Sequence, residues 1–325
     1  MAHRGIAAGN ALTRTEPRPL LSHRDLPAEL HEEILGLAQE LVRSPDAHRG
    51  ILAGSRIGLL FSVPSTRTRT SFWRAATDLG ADAISFGPGE LQVTTGESWS
   101  DTGQVLSEYL DGLVVRTDGP LDDMRALSRH VPATINALSV EEHPTQAIAD
   151  YCALVERFGA AEGLRIAYFG EGNNTAAALA LLMSRIDGVR LDFYCPSGFG
   201  LPEEVIAFVN DHHAPGAHLR LFDSIPAIPD PVDAVYTTRW ESMGKSRGTT
   251  GWRSAFAPFR VSEELFARFA ETGRTVFMHD LPAVRDGEVA GPVLDAPYSL
   301  VRHQARHKLT AAGAALLWAF GYATI

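Results

Sequence analysis

Ser65, Thr66, Arg67, Thr68 and Arg69 crowd hydroxyls and two guanidiniums into five consecutive positions. They follow the apolar run Ile57-Gly58-Leu59-Leu60 and precede Phe72, Ala75, Ala76 and Leu79, which recur at helical spacing, so the local order reads strand, turn, helix. A helix start offers unpaired backbone N–H groups and the positive end of its dipole, and Ser65 and Thr66 stand where capping residues stand. With the arginines added, this is a place built for a small phosphate. A capped helix with solvated arginines is the plainer reading, but the density of donors favours the anion.

Other polar groups close other apolar runs. Arg116 follows Gly112-Leu113-Val114-Val115, and His143 with Gln146 follows Thr134 to Leu138. Asn173-Asn174 follow Arg165 to Phe169, Thr238 with Ser242 follow Ala234-Val235-Tyr236, and His279-Asp280 follow Thr275 to Met278. Taken singly, Arg116 reads equally as a surface ion pair and His143 as a helix-start histidine. Open parallel sheets bind ligands outside the carboxyl ends of their strands, which predicts that these groups face one cleft between two domains.

The positioning elements follow from periodicity. Leu30, Ile34, Leu35, Leu37, Ala38 and Leu41 mark an amphipathic first helix ending near Ser44-Pro45. Further helices are predicted over 71–79, 98–110, 121–130, 144–158, from Thr175 onward, and over 304–320, with strands between them and a restart of the alternation at Leu164. The fold class is therefore α/β, two doubly wound parallel-sheet domains, with the first over 1–150 and the second over 151–302. Residues 1–20, broken by Asn10, Arg14, Glu16 and Arg18, read as a loose arm, and Lys245 to Phe259 as a mobile loop without periodicity.

Composition narrows the partners. A chain of 325 residues with 45% hydrophobic content can bury two cores. Its net charge of −10 counts against nucleic acid and leaves the local basic cluster to a small anion. Cys152 and Cys195, the only cysteines, have neither disulfide-framework nor zinc-ligand spacing. No apolar run reaches the ~20 residues of a membrane span, and the first residues are unlike a signal peptide, so the cytoplasm is the expected compartment.

The joint order of these motifs closely resembles the aspartate and ornithine carbamoyltransferase family from about residue 25 onward: Ser65 to Arg69, Arg116, His143-Pro144-Thr145-Gln146, Ser242-Met243-Gly244, then His279-Asp280-Leu281-Pro282. The resemblance implies a first domain that binds carbamoyl phosphate, a second that binds an amine acceptor, and a C-terminal helix, 303–325, that packs back on the first. It implies homotrimers with shared sites, a cytoplasmic enzyme of amino-acid metabolism, and no metal or organic cofactor. Ser65, Thr66, Arg67 and Thr68 would hold the phosphate, and Arg116, His143 and Gln146 would surround the carbamoyl group. Thr68, Arg116 and His143 would carry the catalysis, because amine attack builds negative charge on the carbonyl oxygen. Gln92 would reach a neighbouring subunit's site, Lys308 would replace a carbamoyl-phosphate-binding arginine, and Asn174, Thr238, Ser242, Met243, Asp280 and Leu281 would bind the acceptor.

Two departures concern that acceptor. The ornithine type carries an aspartate for the α-ammonium where Thr238 stands, and a cysteine where Asp280 stands. The aspartate type carries a lysine where Thr95 stands, which argues against aspartate. Losing a charge-assisted bond typically costs about 1.5–3 kcal/mol, so the expectation is an acceptor other than ornithine or aspartate, with 2,3-diaminopropionate as one candidate. Asp280 serving only to cap local backbone N–H groups is the bland alternative. Ornithine carbamoyltransferase proper and a catalytically silent carbamoyl-phosphate-binding homologue are the competing functions. A nucleotide-binding protein, suggested by Gly170-Glu171-Gly172, lacks the third glycine of that fingerprint because Thr175 stands there.

Overall fold

The computed structural model describes residues 12–227, 229–241 and 251–324. The chain divides into two compact units, residues 1–152 with 307–325, and residues 153–306.

In the first unit the five apolar residues after Arg56 make β2 (Arg56–Phe61) a fully buried strand, and three parallel neighbours complete the sheet. These are β3 (Asp82–Phe86), β4 (Gly112–Arg116) and β5 (Ala133–Leu138), in the order β3-β2-β4-β5. The chain goes to one side of β2 for β3 and to the other for β4, so the strand order reverses between β2 and β4, where ligands bind in such sheets. Helices α1 (Ala28–Arg43), α2 (Arg67–Asp78), α3 (Trp99–Leu106), α4 (Leu121–Ser128) and the first part of α5 (Pro144–Phe158) belong to this unit. One face of α4, with Leu121, Met124 and Leu127, packs with Leu60, Leu113 and Val115 of the sheet in a single apolar cluster.

In the second unit the strands are β6 (Arg165–Phe169), β7 (Arg190–Tyr194), β8 (His218–Phe222), β9 (Ala234–Thr237) and β10 (Val276–His279). They form a parallel sheet of order β10-β9-β6-β7-β8, which reverses between β6 and β9. Its helices are α6 (Asn174–Met183), α7 (Glu203–His212), α8 (Trp252–Phe256), α9 (Glu263–Phe269), α10 (Gly291–Leu294) and the first turns of α11 (Val301–Ala319). Every side chain from Thr175 to Met183 is buried, which explains a helix with almost no polar face. Gly172 answers to the backbone: a Cβ there would lie 2.3 Å from the Gly200 carbonyl carbon, so close chain approach accounts for this glycine without a dinucleotide.

Two expectations are corrected and one strand is added. Residues 12–20 are not a loose arm: β1 (Leu12–Arg14) pairs antiparallel with β11 (Tyr322–Thr324), and Thr15 N and Arg18 N donate to Gly321 O and Ala319 O. The Arg18 guanidinium lies 4.3 Å over the Trp318 ring, and Leu20 is fully buried. Strand β8 was missed because it is an edge strand without clean alternation; the Arg220 guanidinium binds both Asp192 oxygens at 2.6 Å and ties it to β7. The end of the expected mobile loop is instead α8, where Phe256 packs on Phe199, Trp240 and Trp252. Cys152 and Cys195 are buried free thiols, and among the described residues no helix is long and apolar enough to cross a membrane.

Phe256 is 0% exposed despite the polar, glycine-rich run before it. Phe256→Ala is expected to lower the unfolding free energy by about 3–5 kcal/mol in urea denaturation; a loss below about 1 kcal/mol would mean that α8 is only a surface loop.

Candidate active site

The site of the first unit begins where β2 ends. Ser62 N and Oγ donate to the Arg116 carbonyl at 3.0 and 3.4 Å, which fixes the start of the Ser62–Thr66 turn against the end of β4. Helix α2 then opens with Thr66 at the N-cap position. Its hydroxyl makes no capping bond; Ser65 Oγ instead accepts from Arg69 N at 3.3 Å, so of the two expected caps only Ser65 serves. That bond passes over the N–H groups of Arg67 and Thr68, which by helix geometry have no partner inside the helix. Thr68 is buried, Ser65, Arg67 and Arg69 are half-buried, and Thr66 is exposed. The start of α2 thus presents N–H groups, hydroxyls and cations together.

Arg116 is delivered by an irregularity in the ladder: Val115 faces Asn136, but Arg116 faces Leu138, one residue being skipped. It is only 4% exposed. From Leu138 the chain turns into α5, whose start carries His143 and Gln146. Gln146 donates through Nε2 to Asp150 at 2.8 Å and accepts through Oε1 from the Lys308 ammonium on α11. His143 is buried, and its pKa is held well below the ordinary histidine value by burial first, then by the charges of Lys308 and Arg116. At neutral pH its ring is therefore neutral and offers one N–H, while the full charges reside on Arg116 and Lys308. A cavity of about 50 Å³ opens beside Arg116, walled by Ser62, Thr117, Trp99, Val93 and Thr94, with room for a few waters. Gln92 is exposed, and its amide oxygen accepts from Thr95 Oγ1 within its own turn.

In the second unit Asn173 caps α6 by accepting from Thr175 N and Ala176 N, which leaves the half-buried Asn174 as the first helical residue. Asp280, just beyond β10, is the centre of a cluster: Thr238 Oγ1 donates to its Oδ1 at 2.8 Å and Thr175 Oγ1 donates to its Oδ2 at 2.9 Å. Its carboxylate therefore binds side-chain hydroxyls, and its side chain remains 14% exposed. His279 Nδ1 lies 3.3 Å from the Asp280 Oδ1. His279 is fully buried beside it, with Nε2 3.1 Å from Glu288 Oε1 and Nδ1 accepting from Leu281 N at 2.8 Å. Burial lowers the pKa of this ring, but Asp280 and Glu288 outweigh it and the net direction is up. Leu281 sits at φ +56°, a left-handed geometry costing a non-glycine residue roughly 1–3 kcal/mol, and the bond to His279 helps to hold it there. Ser242 and Met243 lie outside the described residues.

Sequence reasoning missed four side chains that hold these groups. In the sequence Thr175 reads only as a missing glycine, and Glu288 carries no local signal. Ser22 and Glu142 were missed as well: the carboxyl of Glu142, beside His143, accepts from Ser22 Oγ and, at 2.9 Å, from His23 N. Among the polar neighbours Ser139, Glu141 and His143, no local sequence signal sets Glu142 apart. Burial pushes the Glu142 carboxyl up to about 7 against the opposing effect of those two donors.

This gives a stability prediction with a definite sign. Below the unfolded value of 4.5 both states hold the proton; above it the unfolded chain ionises first, so stability falls as pH rises towards 7 and then levels off. Glu142→Gln, which cannot ionise, is expected to remove a pH-dependent loss of about 3 kcal/mol between pH 4.5 and 8, read from urea midpoints. Parallel pH profiles for the two proteins would refute it.

Residues 18–156 match the carbamoyl-P binding domain of the aspartate/ornithine carbamoyltransferases, and residues 162–319 match the Asp/Orn binding domain. The ornithine carbamoyltransferase of Rhodococcus opacus is 37% identical over 307 residues, spanning 94% of this chain and 96% of that protein. That of Acidothermus cellulolyticus is 34% identical over 301 residues, spanning 92% and 95%. The solved ornithine carbamoyltransferase from Pyrococcus furiosus aligns with a TM-score of 0.84 at 32% identity, covering 94% of this chain and 97% of its own. Two successive domain matches and relatives aligned over nearly their whole length place this chain in the aspartate/ornithine carbamoyltransferase family, and its activity is carbamoyl transfer.

Proposed function

We propose that the chain moves the carbamoyl group of carbamoyl phosphate onto the side-chain amine of a diamino acid, with L-ornithine as the acceptor, giving a ureido product and phosphate. The first unit takes carbamoyl phosphate and the second takes the amine. Ser65, Thr66, Arg67, Thr68 and the start of α2 hold the phosphate, with Lys308 supplying charge without the planar fork of an arginine. Arg116, the neutral His143 and Thr68 donate to the carbonyl oxygen as the amine nitrogen attacks its carbon. The C–N bond forms, the C–O bond to phosphate breaks, and the amine gives up a proton.

The observation that carries the acceptor half is the Asp280 cluster. The acid that the ornithine type has at 238 is absent, yet an acid at 280 lies one 2.8 Å hydrogen bond from Thr238 Oγ1. Negative charge is thus supplied to the same corner from the neighbouring strand, which answers the objection to ornithine raised by Thr238. The relatives reported above, all named ornithine carbamoyltransferases, favour ornithine over the shorter acceptor expected from the sequence. That displacement of the acid also supports a second reading, in which a shorter diamino acid such as 2,3-diaminopropionate fits better. Asn174, Leu281, Ser242 and Met243 complete the acceptor half in either reading. We further propose a homotrimer in which Gln92 serves a neighbour; half-exposed Trp73 and Ile84 on the first unit supply apolar surface for it.

Product masses from carbamoyl phosphate and a panel of ornithine, shorter diamino acids, putrescine and aspartate decide the acceptor. Ornithine turnover is expected; preference for 2,3-diaminopropionate would select the second reading, and binding of carbamoyl phosphate without any turnover would indicate a silent homologue. Asp280→Asn is expected to lower kcat/KM for the amine by about 10- to 100-fold while leaving the KM for carbamoyl phosphate unchanged. An unaltered amine kcat/KM would remove Asp280 from the site. Light scattering is expected to give three times the 35.2 kDa of one chain, and a monomer would refute the trimer.

A further inference from the structure

His143 lies between two residues that are both tied to the same short segment far away in sequence. On one side, the Glu142 carboxyl accepts from Ser22 Oγ and His23 N. On the other, the Pro144 carbonyl lies 3.2 Å from His23 Nε2. The segment is itself fixed: Leu20 N donates to Thr134 O, Asn136 N to Leu20 O, and Asn136 Nδ2 to Leu21 O, all on β5, while the His23 ring meets His31 of α1 edge-on at 5.9 Å. Backbone bonds close the loop from inside, with Ser139 N donating to Glu142 O at 2.9 Å and Gln146 N to His143 O at 3.0 Å. Meanwhile His143 Nδ1 is buried and has no hydrogen-bond partner among the described residues, so no bond from that nitrogen orients the ring. On that side, the aim of the ring is left to the backbone that carries it.

Stability does not explain this arrangement. Burying a carboxyl costs free energy that its hydrogen bonds only partly return, and an apolar residue of similar shape would often be neutral or better. Glu142 is 1% exposed, and its raised pKa says that its charged form is disfavoured in the fold. What the polar contacts supply is direction: two acceptor atoms of one side chain and one carbonyl, all referred to two adjacent residues, fix the backbone around His143 in translation and rotation.

We propose that Ser22, His23 and Glu142 form a clamp that positions the His143 imidazole for the carbamoyl group. They are positioning residues, acting through the backbone of His143. The inference rests on the reading of His143 as a carbamoyl ligand, and the test separates the two.

The test uses the full-length protein labelled with ring-13C histidine, the His143 signal being assigned from a His143→Asn variant. Three readings are compared in wild type, Glu142→Ala and Glu142→Gln: the titration of the His143 ring, kcat for the best amine acceptor, and the affinity for inorganic phosphate. Glu142→Ala is expected to move the His143 titration up towards the ordinary histidine range as water reaches the freed ring. It is also expected to lower kcat about 10- to 100-fold, the size of effect that misplacement by about 1 Å produces. Phosphate affinity is expected to stay within about twofold, because the start of α2 is held by other contacts. Glu142→Gln keeps an oxygen for His23 N and turns its amide N–H towards Ser22 Oγ, which can accept it, and is expected to restore ring titration and kcat together.

A folded Glu142→Ala protein with an unmoved His143 titration overturns the clamp, as does a parallel loss of kcat and phosphate affinity, which a general collapse would give. A ring that moves while kcat does not also overturns the proposal, and shows that the fault lies in the role given to His143. Should Glu142→Ala fail to fold, Ser22→Ala removes one hydroxyl from the same clamp; a smaller shift in the same direction supports it and none overturns it. If no amine is turned over at all, the ring titration decides alone, since it needs no acceptor.

Discussion

Parallel strands end together, and both units depend on that constraint. In a parallel sheet every strand delivers its last residue to the same edge, and where the strand order reverses the two loops leaving that edge go to opposite faces and leave a crevice. Ser62 to Thr68 and Arg116 leave β2 and β4 at one such reversal; Asn173 to Thr175 and Thr238 leave β6 and β9 at the other. The apolar interiors of these strands make the sheets, but the polar residues at or just beyond their carboxyl ends are where chemistry can be placed without burying unpaired groups in the core.

The two edges carry opposite electrostatics. In the first unit, half-buried Arg67 and Arg69 stand among the hydroxyls at the start of α2, and the charges of Arg116 and Lys308 help to keep His143 neutral. Such a set suits an anion and a carbonyl oxygen that becomes negative. In the second unit, Asp280 is held by two threonine hydroxyls, with His279 and the buried Glu288 behind it. A carboxylate supported by hydroxyl donors suits an ammonium group. This division matches a reaction between an acyl phosphate and an amine better than one in which both substrates are anionic, and so also argues against aspartate.

The motifs at strand ends were legible because each is short and contiguous: five residues at Ser65, four at His143, and the His279-Asp280 pair after a clear strand. The supports behind them were not. Thr175 reaches Asp280 across 105 residues and Ser22 reaches Glu142 across 120, so neither pair leaves a local signature. Residues 12–20 lacked periodicity because main-chain bonds to the end of the chain, not side-chain burial, hold most of them. Strand β8 was hidden at a sheet edge, and α8 by the glycine-rich run before it. The departure at Thr238 was read as a lost charge because the proximity of residues 238 and 280 follows from β9 pairing with β10 in register, Thr237 opposite His279, which no local pattern announces.

The division of labour between the units is tested most directly by binding, without turnover. Calorimetric titration would compare two ligands, phosphonoacetamide alone and the same group joined through its amide to the side-chain nitrogen of ornithine, on wild type and Asp280→Asn. The expected result is unchanged affinity for the small ligand and a loss of about 10- to 100-fold for the joined one, the size of a charge-assisted bond to an ammonium. Equal affinity of the two proteins for the joined ligand would contradict the assignment of the amine to the second unit's acid.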